Sequence, residues 1–232
     1  MAHDQNNVDL GRRQLLHAAV SGVLLGTAAQ AAIPFARAEN RAPTDLSPEA
    51  ALKKLLDGNQ RATTGKLTSI ERDLAILREH TVNKQEPFAA VLSCADSRVP
   101  VEMIFDQTIG DIFVTRVAGN IVTPEIIASL EYGVAVLGVE TLLVLGHSNC
   151  GAVKAAMKAE TVPGQISTLY PHLRQAVQQS GGNLEKAIEA NPKIQAELLR
   201  TSSTVIREAI AAGKLKVESG VYDLASGKVS LS

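Results

Sequence analysis

The spacing of apolar residues near the start of the chain predicts two helices. In LSPEAALKKLLDGNQRAT, residues 46–63, the leucines recur at helical spacing behind Ser47, a favourable N-cap, and Pro48, which suits the first helical position. TSIERDLAILREH, residues 68–80, predicts a second helix, because its first Thr and its Glu have the spacing of a capping box. Both stretches therefore indicate amphipathic helices that precede the rest of the fold.

Three short, continuous apolar runs further along predict strands. They are PFAAVLS (residues 87–93), DIFVTRVAG (111–119) and TLLVLGH (141–147). Unbroken apolar character is typical of strands buried on both faces of a parallel sheet, where helices cover each face. TPEIIASLEYGVAVLGV, residues 123–139, lies between the last two runs and predicts such a helix, with Thr123 as its cap and a proline in its first turn.

The last third of the chain changes from helical to alternating patterning. Residues 151–212 are mostly helical in pattern, with interruptions at Pro163-Gly164, Pro171 and Gly181-Gly182. KLKVESGVYDLASGKVSLS, residues 214–232, alternates apolar and polar positions around a central Ala-Ser-Gly and predicts a C-terminal antiparallel hairpin. Since the chain has no internal repeat and no low-complexity linker, these elements predict one α/β domain.

The first part of the chain has the pattern of an export signal. A twin arginine at residues 12–13 precedes a weakly hydrophobic stretch, which ends in the A-x-A cleavage pattern of residues 36–38. This arrangement is similar to a Tat export signal. We expect residues 1–38 to be a signal peptide, residues 39–232 to form the domain, and the protein to be periplasmic or otherwise exported, without stable membrane association. A single uncleaved membrane anchor is the alternative.

Composition excludes several classes of protein. The chain is 45% hydrophobic and 20% charged with a formal net charge of −1, as in ordinary soluble domains. Balanced charge, 3% aromatic residues and the lack of a basic cluster predict that it does not bind nucleic acid. Two cysteines are too few for a disulfide-rich scaffold. No G-x-G-x-x-G follows a predicted strand, which disfavours a dinucleotide-binding domain.

Potential metal ligands follow two of the predicted strands. VLSCADSRVP, residues 91–100, places Cys94 after the first strand, and VLGHSNCGAV, residues 144–153, ends the third strand at His147. Functional groups gather beyond the carboxyl ends of parallel strands, so both should lie on that edge. Cys150 begins a predicted helix, whose N-terminus favours thiolate over thiol. Two thiolates and one imidazole form a three-ligand zinc set that leaves a fourth position open.

The residues by themselves leave other interpretations open. In an exported protein Cys94 and Cys150 could instead form a disulfide, or they could be inert buried side chains. Asp96 and Arg98, which follow Cys94 closely, could be a surface ion pair of little energetic importance.

The two motifs together carry a family resemblance. SCADSRVP with GHSNCGAV resembles the β-class carbonic anhydrases, whose pattern is C-x-D-x-R followed further along by H-x-x-C. The similarity extends through residues 85–120, 128–156 and 220–231, and residues 160–212 match least distinctively. It implies an α/β/α sandwich around a mainly parallel β-sheet, with a C-terminal antiparallel hairpin or edge strand, and a homodimer or tetramer.

The resemblance also implies roles for individual residues. It implies one Zn²⁺ per chain, bound by Cys94, His147 and Cys150. Asp96 and Arg98 would be the catalytic dyad, and Gln85 and the Gly151 backbone would border a pocket for carbon dioxide and bicarbonate. Asp96 would join the metal ligands only in a closed form, when Arg98 releases it.

The implied activity is the zinc-dependent, reversible hydration of carbon dioxide to bicarbonate and a proton. In a carbonic anhydrase whose zinc is held by three histidines, the metal lowers the pKa of bound water from 15.7 to about 7, so that hydroxide can attack carbon dioxide. Asp96 would accept a hydrogen bond from this water while Arg98 restrains the carboxylate. Alternatives are a carbonyl sulfide or carbon disulfide hydrolase on the same fold, a non-catalytic zinc- or bicarbonate-binding protein, and, less well supported, a redox protein.

Overall fold

The computed structural model describes residues 46–69 and 81–232. The predicted signal peptide, its boundary with the domain, and most of the second predicted helix lie outside the described residues. Within them, no helix has both the length and the apolar character needed to cross a bilayer.

The described residues form helices and one five-stranded sheet in the predicted order. The strands are β1 (Ala89–Ser93), β2 (Ile112–Arg116), β3 (Thr141–His147), β4 (Lys216–Tyr222) and β5 (Val229–Leu231). The helices are α1 (Pro48–Thr63), α2 (Val101–Ile104), α3 (Pro124–Ala135), α4 (Gly151–Lys158), α5 (Tyr170–Gln179), α6 (Leu184–Ser202) and α7 (Thr204–Ala211). Short 3₁₀ turns span Ala118–Asn120 and Ile166–Leu169.

The sheet is mainly parallel, as predicted. Its strand order is β2-β1-β3-β4-β5; the first four strands are parallel and β5 is antiparallel to β4. In the central pair, Ser93 at the end of β1 lies beside Leu145 of β3. Because neighbouring parallel strands end on the same edge, the residues that follow β1 and those that end β3 come together there.

Successive residues of each central strand point to opposite faces, and each face has its own apolar core. Ala90 and Leu92 of β1 pack in a cluster with residues of α3, α6 and α7, and Ala89 and Val91 pack in a second cluster with residues of α1 and α2. The α/β/α sandwich implied by the family resemblance is therefore confirmed.

Local signals account for several helix ends, with one exception. The Ser47 hydroxyl accepts a hydrogen bond from the Ala50 N–H at 3.2 Å, as expected for an N-cap. Thr123 occupies the N-cap position of α3, but its hydroxyl donates to the carboxylate of Glu125 at 2.8 Å rather than accepting from the helix backbone. Pro171 stands in the first turn of α5 instead of breaking a helix, as prolines commonly do.

A buried carboxylate ties the segment after α1 to the turn after α2. The Asp106 side chain is 0% exposed and accepts from Arg61 Nε at 2.6 Å, from the Thr68 N–H and hydroxyl at 2.8 and 2.9 Å, and from the Ser69 N–H at 2.9 Å. Burial raises the pKa of Asp106, but the hydrogen bonds from Arg61, Ser69 and Thr68 outweigh it and hold the pKa below its usual range.

Asp106→Asn should therefore lower the free energy of unfolding by about 2–3 kcal/mol at pH 7, since it removes a charge partner and turns an NH₂ group toward donors. A depressed native-state pKa stabilises the fold above the unfolded pKa of about 4, and this contribution is lost as the pH falls through the native value. Urea unfolding should thus show a smaller difference between wild type and variant at pH 3 than at pH 7. Equal differences at the two pH values would contradict the charge argument. Asp57→Asn, in an exposed pair with Lys53, is the control and should change little.

Candidate metal centre

Three potential ligands converge at the carboxyl edge of the sheet. Cys94 directly follows β1, His147 is the last residue of β3, and Cys150 is the N-cap of α4. Their ligand atoms lie within 4.8 Å of one another, and the side chains are at most 4% exposed. Both cysteines are free thiols, so the alternative disulfide is not formed in this structure. The structure thus brings the predicted ligand set together.

The imidazole of His147 is oriented for metal binding through Nε2. Its Nδ1 lies 3.0 Å from the carbonyl oxygen of Ser148. Because a carbonyl only accepts, Nδ1 carries the proton and Nε2 keeps its lone pair. Within the described residues, Nε2 is buried and has no hydrogen-bond partner. A ligating histidine commonly shows this arrangement, with one nitrogen donating to a carbonyl and the other on the metal.

The two cysteines differ in how readily they ionise. The pKa of Cys94 is lowered to about 4, chiefly because the Cys150 thiol donates to its sulfur; burial opposes this shift, and the N–H groups of Gly119, 3.3 Å away, and of Asp96 contribute less. The pKa of Cys150 is raised, because it is the donor to Cys94, because it is buried and because Cys94 is charged. N–H groups in the first turn of α4 lower the pKa of Cys150, as predicted, but the effects of Cys94 and of burial are larger.

This donor set fits zinc. Two sulfurs that share one proton and an imidazole with a free Nε2 offer the soft and borderline ligands that zinc prefers, and a divalent cation would compensate two thiolate charges in a buried site. Three protein ligands leave one tetrahedral position for water or substrate, as in catalytic zinc sites. The chemistry of the residues is therefore that of a catalytic centre more than of a closed structural one.

The predicted Asp96–Arg98 pair is present beside the three ligands. Asp96 Oδ1 accepts from Arg98 Nε at 2.9 Å and from the Arg98 N–H at 3.0 Å, while Oδ2 accepts from Nη2 at 2.7 Å. The Arg98 guanidinium lowers the pKa of Asp96 well below its usual range. Asp96 Oδ2 also lies 3.8 Å from His147 Nε2. An ionised, restrained carboxylate thus borders the metal ligands.

Arg116 has a role that the sequence analysis missed. This residue ends β2, and its guanidinium donates to the carbonyl oxygens of Cys94 at 3.0 Å and of Asp96 at 2.6 Å. It therefore fixes the backbone on both sides of Ala95, between the potential metal ligand Cys94 and the predicted catalytic carboxylate of Asp96. The available sequence signal was a charged residue closing an apolar strand.

The two predicted pocket residues are accessible to solvent. Gln85 is exposed in the segment before β1. Gly151 is the first residue of α4 and is exposed, and a Cβ atom added there would meet open space. Their substrate contacts remain predictions. Tyr132 of α3 is 46% exposed, and its ring centroid lies 6.2 Å from that of Phe113 in β2.

Comparisons with known proteins agree with this geometry. A family model described as carbonic anhydrase matches residues 89–229. A carbonic anhydrase of Mycolicibacterium smegmatis is 36% identical over 197 residues, which cover 80% of this chain and 93% of the relative. The solved structure of the β-carbonic anhydrase CcaA is 26% identical, with a TM-score of 0.63, and the match covers 78% of this chain and 86% of that one. A structure from a study of two tetrameric β-carbonic anhydrases of Sordaria macrospora is also 26% identical, with a TM-score of 0.62, and the match covers 78% of this chain and 95% of that one.

Proposed function

Since this chain belongs to the β-class carbonic anhydrase family, we propose that it catalyses the reversible hydration of carbon dioxide to bicarbonate and a proton. The observation that carries this function is the convergence of Cys94, His147 and Cys150 beside the paired Asp96 and Arg98. The triad of ligands can hold one zinc ion per chain. When bound, zinc supplies a Lewis acid that makes water a usable nucleophile near neutral pH.

Asp96 orients the nucleophile. Both carboxylate oxygens already accept from Arg98, and an ionised carboxylate has further lone pairs to accept a hydrogen bond from the attacking water. Because Oδ2 lies 3.8 Å from His147 Nε2, this acceptor is close to the ligand atoms. Arg98 holds the carboxylate in a bidentate pair and so keeps it an acceptor instead of a fourth ligand. Release by Arg98 would give the closed form.

Gln85 and Gly151 are proposed to bind the substrate. An amide NH₂ and a backbone N–H at a helix N-terminus both donate to oxygen, and bicarbonate offers anionic oxygens. The exposure of both residues supports this proposal, because carbon dioxide and bicarbonate must enter from solvent.

The test combines zinc content with stopped-flow hydration of carbon dioxide by the purified full-length protein between pH 6.5 and 9. We expect about one zinc ion per chain and a hydration rate that rises with pH, since the hydroxide form attacks. Zinc without hydration would favour a non-catalytic zinc- or bicarbonate-binding protein. Turnover of carbonyl sulfide or carbon disulfide, but not of carbon dioxide, would favour the hydrolase alternative.

We further propose that the protein assembles as a homodimer or tetramer. The structural relatives of Sordaria macrospora are described as tetrameric, and this chain carries large apolar side chains at its surface, including Met103 at 53% and Tyr132 at 46% exposure. Sedimentation equilibrium distinguishes these assemblies from a monomer.

The first 38 residues are proposed to direct export in the folded, metal-loaded state. The support is the twin arginine at residues 12–13 and the A-x-A pattern at residues 36–38. Folding before export would let zinc hold both sulfurs before an oxidising compartment could join Cys94 to Cys150.

The double substitution Arg12→Lys and Arg13→Lys should therefore leave active, zinc-loaded enzyme in the cytoplasm, because the pathway recognises the arginine pair. Cell fractionation followed by zinc and hydration assays measures this. Normal export of the double variant would refute the Tat assignment without affecting the zinc site. As a control, Lys53→Arg in the exposed pair with Asp57 should be exported like wild type.

A further inference from the structure

We infer that helix α6 positions the metal ligand Cys94. Two buried side-chain amides of this helix, those of Asn191 and Gln195, hold the backbone segment whose N–H donates to the Cys94 sulfur. This inference rests on the metal site of the proposed function and assigns roles in it to two residues of the least distinctive part of the sequence. Asn191 and Gln195 touch neither ligand nor substrate, so they act as positioning residues.

The two sulfurs obtain their backbone donors in different ways. Cys150 is the N-cap of α4, so the N–H groups of Ala152 and Val153 point toward it as part of the helix itself. Cys94 directly follows a strand and has no such helix. Besides the nearby Asp96 N–H, its sulfur accepts from the N–H of Gly119 at 3.3 Å, a residue 25 positions further along the chain. The position of the Cys94 sulfur therefore depends in part on what holds Gly119.

Helix α6 holds this segment at two points. Asn191 Nδ2 donates to the Gly119 carbonyl at 2.8 Å, and Gln195 Oε1 accepts from the Val122 N–H at 2.8 Å. The two amides are joined, because Gln195 Nε2 donates to Asn191 Oδ1 at 3.2 Å and also to the His172 carbonyl at 3.1 Å. Asn191 and Gln195 are each 1% exposed, so water cannot replace these bonds.

The backbone at Gly119 needs such support. It has φ 78° and ψ 12° inside a 3₁₀ turn, a conformation open to glycine at little cost. A Cβ atom there would lie 3.3 Å from atoms of Ala152 and Leu173, so the segment is also closely packed. Without the hydrogen bond from Asn191, the buried Gly119 carbonyl would have no partner, at a cost of about 1–3 kcal/mol, and the turn would no longer be held to α6.

Helix α6 can lie this close to β3 because the residue just before the metal ligand His147 has no side chain. Gly146 precedes His147, and a Cβ atom added at Gly146 would lie 3.3 Å from the Pro192 ring. The glycine therefore lets the turn of α6 that carries Asn191 approach the strand carrying His147. Helix α6 thus packs against the strand that carries His147 and also hydrogen-bonds to Gly119, whose N–H donates to Cys94.

The consequence concerns how tightly the metal is held. An N–H donor to a ligating thiolate stabilises the charged sulfur and restricts its position, and loss of such outer partners typically weakens metal binding by about 10–100-fold. We therefore expect Asn191→Leu, which has similar size but no donor, to release zinc to a chelator about 10-fold faster than wild type. In the cobalt-substituted protein, its sulfur-to-cobalt charge-transfer band should shift, because the sulfur has lost its fixed donor.

The experiment uses zinc- and cobalt-loaded full-length protein with Asn59→Ala as a matched control. Asn59 is also a buried asparagine with several backbone hydrogen bonds, to Ile104, Gly227 and Val229, and it bonds to none of the residues around the metal site. Asn59→Ala should destabilise the fold while leaving the zinc release rate and the charge-transfer band unchanged. If Asn191→Leu does not fold, Asn191→Ala replaces it, since it removes the same donor without adding bulk or a buried charge.

Wild-type zinc release and an unshifted band in a folded variant would overturn the inference. Equal acceleration of zinc release in Asn59→Ala would overturn it as well, because the effect would then reflect global stability. Both results leave the proposed function intact if wild type binds zinc and hydrates carbon dioxide. A wild-type chain that takes up neither metal would instead contradict the proposed function and the inference together.

Discussion

The substitution His147→Ala should leave a protein that holds almost no zinc and hydrates carbon dioxide no faster than buffer does. Nε2 of His147 is buried, is among the atoms without a hydrogen-bond partner in the described residues, and belongs with Cys94 and Cys150 to a group that could hold a metal ion. Zinc then loses one of three protein ligands, and the nearby Asp96 carboxylate is held in its pair with Arg98. Cys94→Ser and Cys150→Ser should have the same result, because a serine hydroxyl does not ionise near neutral pH and is a poor zinc ligand.

Zinc per chain and hydration rate are measured on the same preparations. The control is His172→Ala, which removes an exposed imidazole on α5 and should keep full zinc content and activity. Full zinc retention in one of the three ligand variants would remove that residue from the ligand set. Circular dichroism establishes whether the variants are folded, which separates ligand loss from unfolding.

Asp96→Asn should retain zinc yet lose at least about 100-fold in turnover, the range expected when a positioned proton acceptor is removed. All three metal ligands remain, but the amide has no negative charge and turns an NH₂ group toward Arg98 or toward the water. The measurements are zinc content and the stopped-flow hydration rate at pH 7.5. A zinc-free Asp96→Asn protein would instead make Asp96 necessary for metal binding.

Arg98→Ala should also lower turnover, because the unrestrained carboxylate is free to ligate the metal and close the site. Arg98→Lys should restore it only in part, since a single ammonium cannot form the bidentate pair with both oxygens. Lys53→Ala, which breaks an exposed ion pair elsewhere, is the matched control and should be fully active. Unchanged hydration by Arg98→Ala at pH 7.5 would contradict the proposed restraint.

Much of the fold was predictable from short stretches of sequence. The three apolar runs became β1, β2 and β3, and Ser47 caps α1, because strand formation and helix capping depend on residues that are neighbours in the chain. The prediction that all three strands are buried on both faces was wrong for β2, which lies at the edge of the sheet and is only partly buried. Local patterns were not sufficient where another group competed for a side chain. Thr123 stands at the N-cap of α3, as predicted, but its hydroxyl donates to Glu125 instead of accepting from the helix backbone.

The charge on the cysteines shows the same limit. The position of Cys150 at a helix N-terminus predicted a stabilised thiolate, and helix N–H groups do act in that direction. Cys94 lies close enough to accept from the Cys150 thiol, however, so the metal-free pair keeps its proton on Cys150. The tertiary structure decided which sulfur is charged, because it brings the two thiols together and sets the burial and hydrogen-bond donors of each.

The sequence by itself determined which three side chains are candidate metal ligands and the edge of the sheet on which they meet. Cys94, His147 and Cys150 each follow or end a recognisable apolar run, and parallel pairing brings such ends together. The tertiary structure alone decided which groups hold the ligands in place. Arg116 is 22 residues from the Cys94 carbonyl it binds, and Asn191 is 72 residues from Gly119. Hydrogen bonds over such separations depend on how helices pack on the sheet, and no local pattern records that geometry.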